Sequence, residues 1–143
     1  MPFTEIQKRI EASFAQQGLM RVVEARVAEV SPGRCVIEAP FRKTLTQQHG
    51  YLHAGVLTML ADNACGYATL SLLPPGQEVL TAELKVNFLR PAKGVLAIAR
   101  AEVLKPGRTL TVARAEVWMR TEDGAEVLCA AMQATLVPSA AVG

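Results

Sequence analysis

Both histidines of the chain and one isolated carboxylate fall in a single short stretch, Thr46-Gln47-Gln48-His49-Gly50-Tyr51-Leu52-His53-Ala54-Gly55-Val56-Leu57-Thr58-Met59-Leu60-Ala61-Asp62. Asp62 is a lone charge inside an apolar run. A carboxylate so placed can serve as a nucleophile or as a general base on water. If a helix begins near His53, the backbone N–H groups of Ala54 and Gly55 sit at its positive end, ready to polarise a carbonyl oxygen or hold an anion. The amides of Gln47 and Gln48 and the hydroxyl of Thr81 are of the kind that holds a water or orients an acyl group. Glycine at 50 and 55 lets backbone approach a ligand closely.

Geometry limits how these groups cooperate. At the rise of an α-helix, Asp62 lies roughly 12 Å further along the axis than Ala54. One chain cannot aim both at the same atom, but two chains related by a two-fold axis can. A site shared between subunits is therefore the physical condition for this segment to be catalytic.

The same residues also admit plainer roles. Asp62 could be a hydrogen-bonded structural residue, and His53 could simply cap the helix or fill an interface. His49 and His53 are spaced for a metal, yet Gly50 between them weakens a regular helix and neither Cys nor carboxylate stands near in sequence, so no metal is expected. Cys65 reads as a small residue in a tight interface. Arg90, Lys93, Lys105 and Arg108 read as solvated charges at strand ends and turns, or as partners for phosphate.

The elements that must carry these groups follow from periodicity. Ile6, Ile10 and Phe14 mark an amphipathic helix over Pro2 to Gln17, with Thr4 as its cap and Gly18 as its stop. Val22 to Val30 and Arg34 to Glu38 read as strands joined by Ser31-Pro32-Gly33. Phe41 to Gly50 is irregular, and a long helix runs from about His53 to Leu72, ended by Pro74-Pro75-Gly76. From there the period is two: Leu80, Ala82, Leu84, Val86 and Phe88 alternate with Thr81, Glu83, Lys85 and Asn87, a strand with one buried face. Gly94 to Val103, Leu110 to Arg120 and Val127 to Val137 follow as strands, and 138–143 reads as a frayed tail. The last strands read as apolar on both faces, which calls for a second copy of the chain as cover and so for a homodimer at least.

Composition sets the outer bounds. The 143 residues make one ordinary domain, and half of them are hydrophobic, which excludes a disordered chain. A formal charge of +2 without a basic run, and aromatics at 5%, argue against nucleic-acid partners. Three widely spaced cysteines without a Cys-x-x-Cys pair point to a reducing, cytoplasmic compartment. Charges at Glu5, Lys8, Arg9 and Glu11 spoil a signal-peptide core, and Asp62 and Asn63 interrupt the longest apolar run, so no membrane span is expected.

His53-Ala54-Gly55 followed by Asp62 resembles the His-Gly-Gly…Asp motif of hotdog-fold acyl-CoA thioesterases, nearest to the phenylacetate-degradation branch. Asn87-Phe88-Leu89-Arg90-Pro91-Ala92 and Lys105-Pro106-Gly107-Arg108-Thr109-Leu110 are also similar to stretches of these enzymes, and the likeness spans about residues 20–137. It implies an α+β hotdog fold, a long central helix wrapped by an antiparallel sheet with a short helix at residues 1–18. It further implies hydrolysis of acyl-CoA thioesters in a homo-oligomer, a dimer or a dimer of dimers, with CoA entering as part of the substrate and no separate cofactor. Residue by residue, Asp62 matches the catalytic carboxylate, and Ala54 the glycine whose N–H polarises the thioester carbonyl. His53 matches the histidine that positions that loop. Gln47 falls where members carry Asn or Gln near the thioester, and Thr81 where some carry a water-orienting Ser or Thr. Gln48, Arg90, Lys105, Gly107, Arg108 and Thr109 are the candidates for binding CoA. Two positions depart from the pattern: alanine at 54, which still supplies an N–H, and Gly66, where some members have a hydroxyl. Acyl preference would depend on packing around Met59, Tyr67 and Leu89.

Two rival readings remain. A hotdog dehydratase shares the echo Gly55-Val56-Leu57, but its acid would fall at Leu60 and its histidine at Thr46. A non-catalytic acyl-CoA-binding module would share the fold and the basic turns.

Overall fold

A computed structural model describes residues 3–140. Three α-helices occur among them, α1 (Phe3–Ala15), α2 (Gly18–Val22) and α3 (Ala54–Leu70), with a 3-10 turn at Lys43–Leu45. Six strands follow the chain as β1 (Arg26–Ser31), β2 (Arg34–Pro40), β3 (Gln77–Phe88), β4 (Leu96–Lys105), β5 (Thr111–Arg120) and β6 (Glu126–Ala140). They form one antiparallel sheet in the order β1-β2-β4-β5-β6-β3. The sheet wraps α3, giving the α+β hotdog architecture.

The close wrap has a compositional cause. Cross-strand rows facing α3 run Cys35, Ala101, Ala115, Met132, Val86 and Ile37, Ala99, Val117, Ala130, Phe88. Alanine recurs in these rows, so the helix backbone can approach the sheet. The helix answers with Leu57, Leu60, Ala61, Ala64, Cys65 and Ala68, all buried. Its buried hydroxyl at Thr69 bonds back to the Cys65 carbonyl at 2.9 Å, which satisfies that group within the core.

The opposite sheet face departs from expectation. Its rows run Arg34, Glu102, Arg114, Gln133, Lys85 and Val36, Arg100, Glu116, Ala131, Asn87. Ion pairs lace it, Arg34 and Arg114 both meeting Glu102, and Arg100 and Arg120 both meeting Glu126. Reading short apolar runs as two-sided missed the charges that alternate beyond them, so this face gives no argument for a covering copy.

Other boundaries shift for local reasons. Residues 18–22, expected to stop one helix and begin a strand, form α2 instead. Met20 and Val23, three apart, are both buried, and Glu24 in the left-handed region at φ 56° then turns the chain into β1. Thr4 lies within the first described turn of α1 rather than capping it, and Pro2 is outside the described residues. Of the expected tail, 138–140 pair with 77–79 as the end of β6, and 141–143 are outside the described residues.

The largest change for the site is in β3. Thr81 pairs with Leu136 and Glu83 with Thr135, so Ala82 is an extra residue that shifts the alternation. Val79 and Thr81 therefore share the helix side with Leu84 and Val86, while Leu80 is turned outward and is 60% exposed. Strict alternation had set Thr81 among the outward polar residues.

Candidate active site

The chain enters α3 through a tightly bonded approach. The His53 N–H donates to the Leu45 carbonyl and the Leu52 N–H to the Ala92 carbonyl, each at 2.9 Å. Residues 47–50 form a turn whose Gln47 carbonyl accepts from the Gly50 N–H at 3.0 Å. Gly50 sits at φ 84°, a conformation that favours glycine. The Gln47 side-chain oxygen accepts from the His49 N–H at 2.5 Å, so the turn orders the amide.

His53 is the N-cap. At φ −59° and ψ 140° it precedes the first helical residue, and its Nδ1 accepts from the Gly55 N–H at 2.8 Å. The acceptor nitrogen fixes the neutral tautomer that carries its proton on Nε2. Of the two N–H groups expected to polarise a carbonyl, Gly55's is thus taken by the cap. The Val56 and Leu57 N–H groups turn back to the His53 carbonyl. The Ala54 N–H has no partner among the described residues and stands at the positive end of α3. His53 therefore caps the helix, and its bond to the Gly55 N–H leaves the Ala54 N–H as the donor without a partner among the described residues.

This helix start opens on a cavity of about 540 Å³ whose lining includes Gln47, Gln48, His53, Ala54, Phe88 and Arg90. Arg90 is exposed and donates to the Leu128 carbonyl at 3.0 Å, which holds its guanidinium at the rim.

Asp62 belongs to a different cavity. It is half-buried, and Oδ1 accepts from the Thr81 hydroxyl at 2.7 Å. Asp62 Oδ2 has no partner among the described residues, and the Thr81 oxygen retains lone pairs that could accept from a water. The surrounding space, about 300 Å³, is lined also by Ser13, Gln17, Asn63, Gly66 and Tyr67. Sequence reasoning missed Ser13, Gln17 and Asn63. No local pattern ties α1 to α3, though the amide beside Asp62 was a signal to follow.

The remaining cations divide between the ends of the sheet. Lys105 ends β4 and is exposed; Arg108 and Thr109 are exposed in the loop before β5. Gly107 has a structural reason to be glycine, since a Cβ there would meet the Leu110 carbonyl oxygen at 2.0 Å. Thr111, where β5 begins, pairs with Leu136, which pairs with Thr81. The loop therefore lies two strands, roughly 10 Å, across from Thr81. Arg90 follows the opposite end of β3, so one protomer does not bring these cations together.

Cys65 is buried and its thiol is pushed up to about 12 by burial first and by the neighbouring Asp62 charge second, so it acts as packing. The residues a dehydratase would use are committed elsewhere: Leu60 lies in the core and the Thr46 hydroxyl donates to the Lys43 carbonyl at 2.6 Å.

The comparisons with known proteins bear on the family and the fold. The family profile described as "Thioesterase superfamily" matches residues 49–126, the span holding His53, Ala54, Asp62 and Thr81. The solved structure of a thioesterase family protein from Silicibacter pomeroyi is 46% identical and superposes with a TM-score of 0.92, covering 95% of this chain and 99% of that one. The PaaI protein of the E. coli phenylacetic acid degradation operon shares the fold at a TM-score of 0.83, with 20% identity over 99% of this chain and 96% of its own. A 1,4-dihydroxy-2-naphthoyl-CoA hydrolase of Listeria monocytogenes is 26% identical over 78% of this chain and 89% of its own length. A motif read first from residue chemistry, a six-stranded sheet around one helix and these matches lead to one conclusion: the chain belongs to the thioesterase superfamily.

Proposed function

We propose that this protein hydrolyses acyl-CoA thioesters to free acid and CoA at sites shared by two protomers. The observation that carries this reading is the division of the machinery. On one protomer the Ala54 N–H and Asp62 open into separate cavities, each holding half of what attack on a thioester requires. A two-fold pairing supplies both halves at once.

The sheet edges favour such a pairing. β1 has only six residues, which leaves little edge for a second strand to join. β3 has twelve residues and leaves Leu80, 60% exposed, and Phe88, 48% exposed, on its open edge. Pairing two β3 strands carries the helix start of one protomer toward Asp62 of the other. Arg90 and the partner's loop of Lys105, Gly107, Arg108 and Thr109 then flank one composite site, where phosphates of CoA can be met. The CoA thioester named for the Listeria relative supports the same substrate class.

In this mechanism the thioester oxygen accepts the Ala54 N–H, and Gln47 and Gln48 line the approach. Asp62 of the partner, oriented by Thr81, takes a proton from the attacking water or itself adds to the carbonyl carbon. Collapse of the tetrahedral adduct expels CoA as thiolate. Where water attacked, the acid is released and the proton held by Asp62 passes to the thiolate; where Asp62 attacked, a water then cleaves the acyl–Asp62 anhydride to the free acid. The three buried thiols suit a reducing compartment, and we place the enzyme in the cytoplasm.

Release of free CoA thiol from a panel of aromatic, branched and medium-chain acyl-CoAs tests the proposal, alongside the molecular mass in solution. The native protein is expected to turn over at least one class, and Asp62→Ala to lower kcat by about a hundredfold or more at unchanged mass. Saturable binding without turnover would instead establish an acyl-CoA-binding module, and undiminished turnover in the variant would remove Asp62 from the chemistry.

A further inference from the structure

The loop between β4 and β5 is closed by a side chain rather than by its own main chain. Residues 106–110 make no backbone–backbone hydrogen bond among the described residues. The closing contact comes from Thr111, the first residue of β5. Its hydroxyl oxygen accepts the Gly107 N–H at 3.2 Å and donates a long bond to the Gly107 carbonyl at 3.5 Å. Thr111 is buried, so its hydroxyl is committed to the loop and not to solvent. The backbone doubles back here so closely that a Cβ on Gly107 would meet the Leu110 carbonyl oxygen at 2.0 Å. The hydroxyl thus grips the loop at its tightest point.

The closed turn carries a free cation. Arg108 is exposed and takes part in no ion pair among the described residues. That sets it apart from Arg34, Arg100, Arg114 and Arg120 on the outer face of the sheet, each of which meets a glutamate. A guanidinium left free on a closed turn suits a partner that offers two oxygens to its fork, as phosphate does. Register ties the turn to the reacting end of the site. Thr111 pairs with Leu136, which pairs with Thr81, the residue bonded to Asp62. One row of the sheet therefore carries the anchor of the loop and the partner of the carboxylate at a fixed separation.

Resting on the thioesterase reading above, we infer that Thr111 is a positioning residue, whose hydroxyl holds the turn 107–110 in the shape that lets Arg108 grip a phosphate of the CoA moiety. Thr111 acts through Arg108 and touches no substrate itself. Without the hydroxyl, the loop must be ordered anew each time a substrate binds, which weakens recognition of the phosphate end and leaves the reacting end as it was.

The test compares one acyl group carried by CoA with the same acyl group carried by pantetheine, which has the thiol arm without the phosphates. The ratio of kcat/KM between the two carriers is measured for the native protein and for three variants. Thr111→Val keeps the shape and drops the hydroxyl, Thr111→Ser keeps the hydroxyl, and Arg108→Ala removes the cation. The native ratio is expected to favour CoA and to fall about five- to tenfold in Thr111→Val, through KM for the CoA thioester, with Thr111→Ser close to native. Adding Thr111→Val to Arg108→Ala should lower the ratio no further than Arg108→Ala alone, because the hydroxyl acts through that guanidinium. A hydroxyl that served folding alone would slow both carriers alike or move only the thermal midpoint. A native ratio near unity, a ratio unchanged in Thr111→Val, an equal loss in Thr111→Ser, or additive losses in the double variant overturns the inference and leaves the thioesterase reading intact. If Thr111→Val does not fold, Thr111→Cys, close in volume and a weak hydrogen-bonding group, is measured in its place. If neither carrier is turned over, the thioesterase reading fails instead. Calorimetric affinities for CoA and pantetheine then decide this inference alone: a preference for CoA lost in Thr111→Val and kept in Thr111→Ser upholds it, and any other pattern overturns it.

Discussion

The two cavities of one protomer are built on opposite plans. The helix-start cavity offers main chain: an Ala54 N–H without a partner among the described residues, beside a Gly55 N–H that His53 claims, and the Leu45 and Ala92 carbonyls that lock the approach. The Asp62 cavity works with side chains, a carboxylate held by Thr81 and a wall of hydroxyls and amides from α1 and α3. Backbone groups take their place from the fold and tolerate exchange of the residue that bears them, which is how an alanine at 54 can present the same N–H as the glycine of the motif it resembles. Side-chain groups fix chemical identity and so are where substrate preference can be written. The first cavity suits what is common to all thioesters, and the second what differs among them.

Breaking the main-chain half should have the largest effect. Ala54→Pro deletes the one N–H in question at the first helical position, where proline is favoured, and His53 already has the extended backbone that precedes a proline. We expect kcat to fall by about 10²–10³ with little change in thermal midpoint. Co-expressing this variant with Asp62→Ala protein sharpens the comparison further. If the halves meet across a two-fold axis, half of the molecules are mixed dimers with one intact site of two, and about a quarter of native activity returns. A site contained within one protomer would return none.

Next in size is the hydrogen bond that orients the carboxylate. Thr81→Val keeps the shape of β3 and removes the 2.7 Å bond to Asp62. A drop in kcat of up to about tenfold, with KM nearly unchanged, is expected from steady-state kinetics. An equal loss in KM would instead make Thr81 a substrate contact.

Smaller still is Gly66→Ala. A Cβ there meets Val79 Cγ1 at 3.9 Å and Leu136 Cδ2 at 4.0 Å, ordinary contacts, so the helix should gain up to about 1 kcal/mol, read as a thermal midpoint raised by a few degrees. The same methyl narrows the Asp62 cavity, so bulkier acyl groups should lose rate relative to smaller ones. Stabilisation without that change in preference would show that the acyl group runs elsewhere.

Least affected of all should be the thiols. Burial pushes Cys35 and Cys65 up to about 12, so at pH 8 both stay protonated and their thiolate fraction is about a thousandfold below that of a free cysteine. Native protein at that pH should show no fast modification by a thiol reagent, while guanidinium-unfolded protein reacts at once. A fast native phase would mean that the core under Asp62 opens.

What could be read from the chain alone follows the same division. The long helix, its start at His53, the separation of Ala54 from Asp62 and the run of four strands that follows along the chain are local or periodic signals, and the structure repeats them. Three features escaped because they depend on contacts distant in sequence. The Gly55 N–H was counted as free because a histidine cap competes for it only once Nδ1 folds back. Thr81 was read from a resemblance while strict alternation turned it outward, and only the pairing of β3 with β6 reveals the extra residue that turns it in. Ser13 and Gln17 lie some fifty residues from Tyr67, and no pattern in α1 announces the helix it will lie against.

The bulge at Ala82 makes chain length, as well as composition, a carrier of information in β3. It divides the strand into two segments of opposite phase, one holding Thr81 toward the carboxylate and the other fixing Leu84 and Val86 in the core. Substitutions within either segment are heard locally. An insertion or deletion of one residue between Thr81 and Leu84 is not, because it rotates every earlier position of the strand by half a period. Such a change would leave each side chain in the sequence and silence their arrangement, a lesion that comparison of residue types alone would pass over.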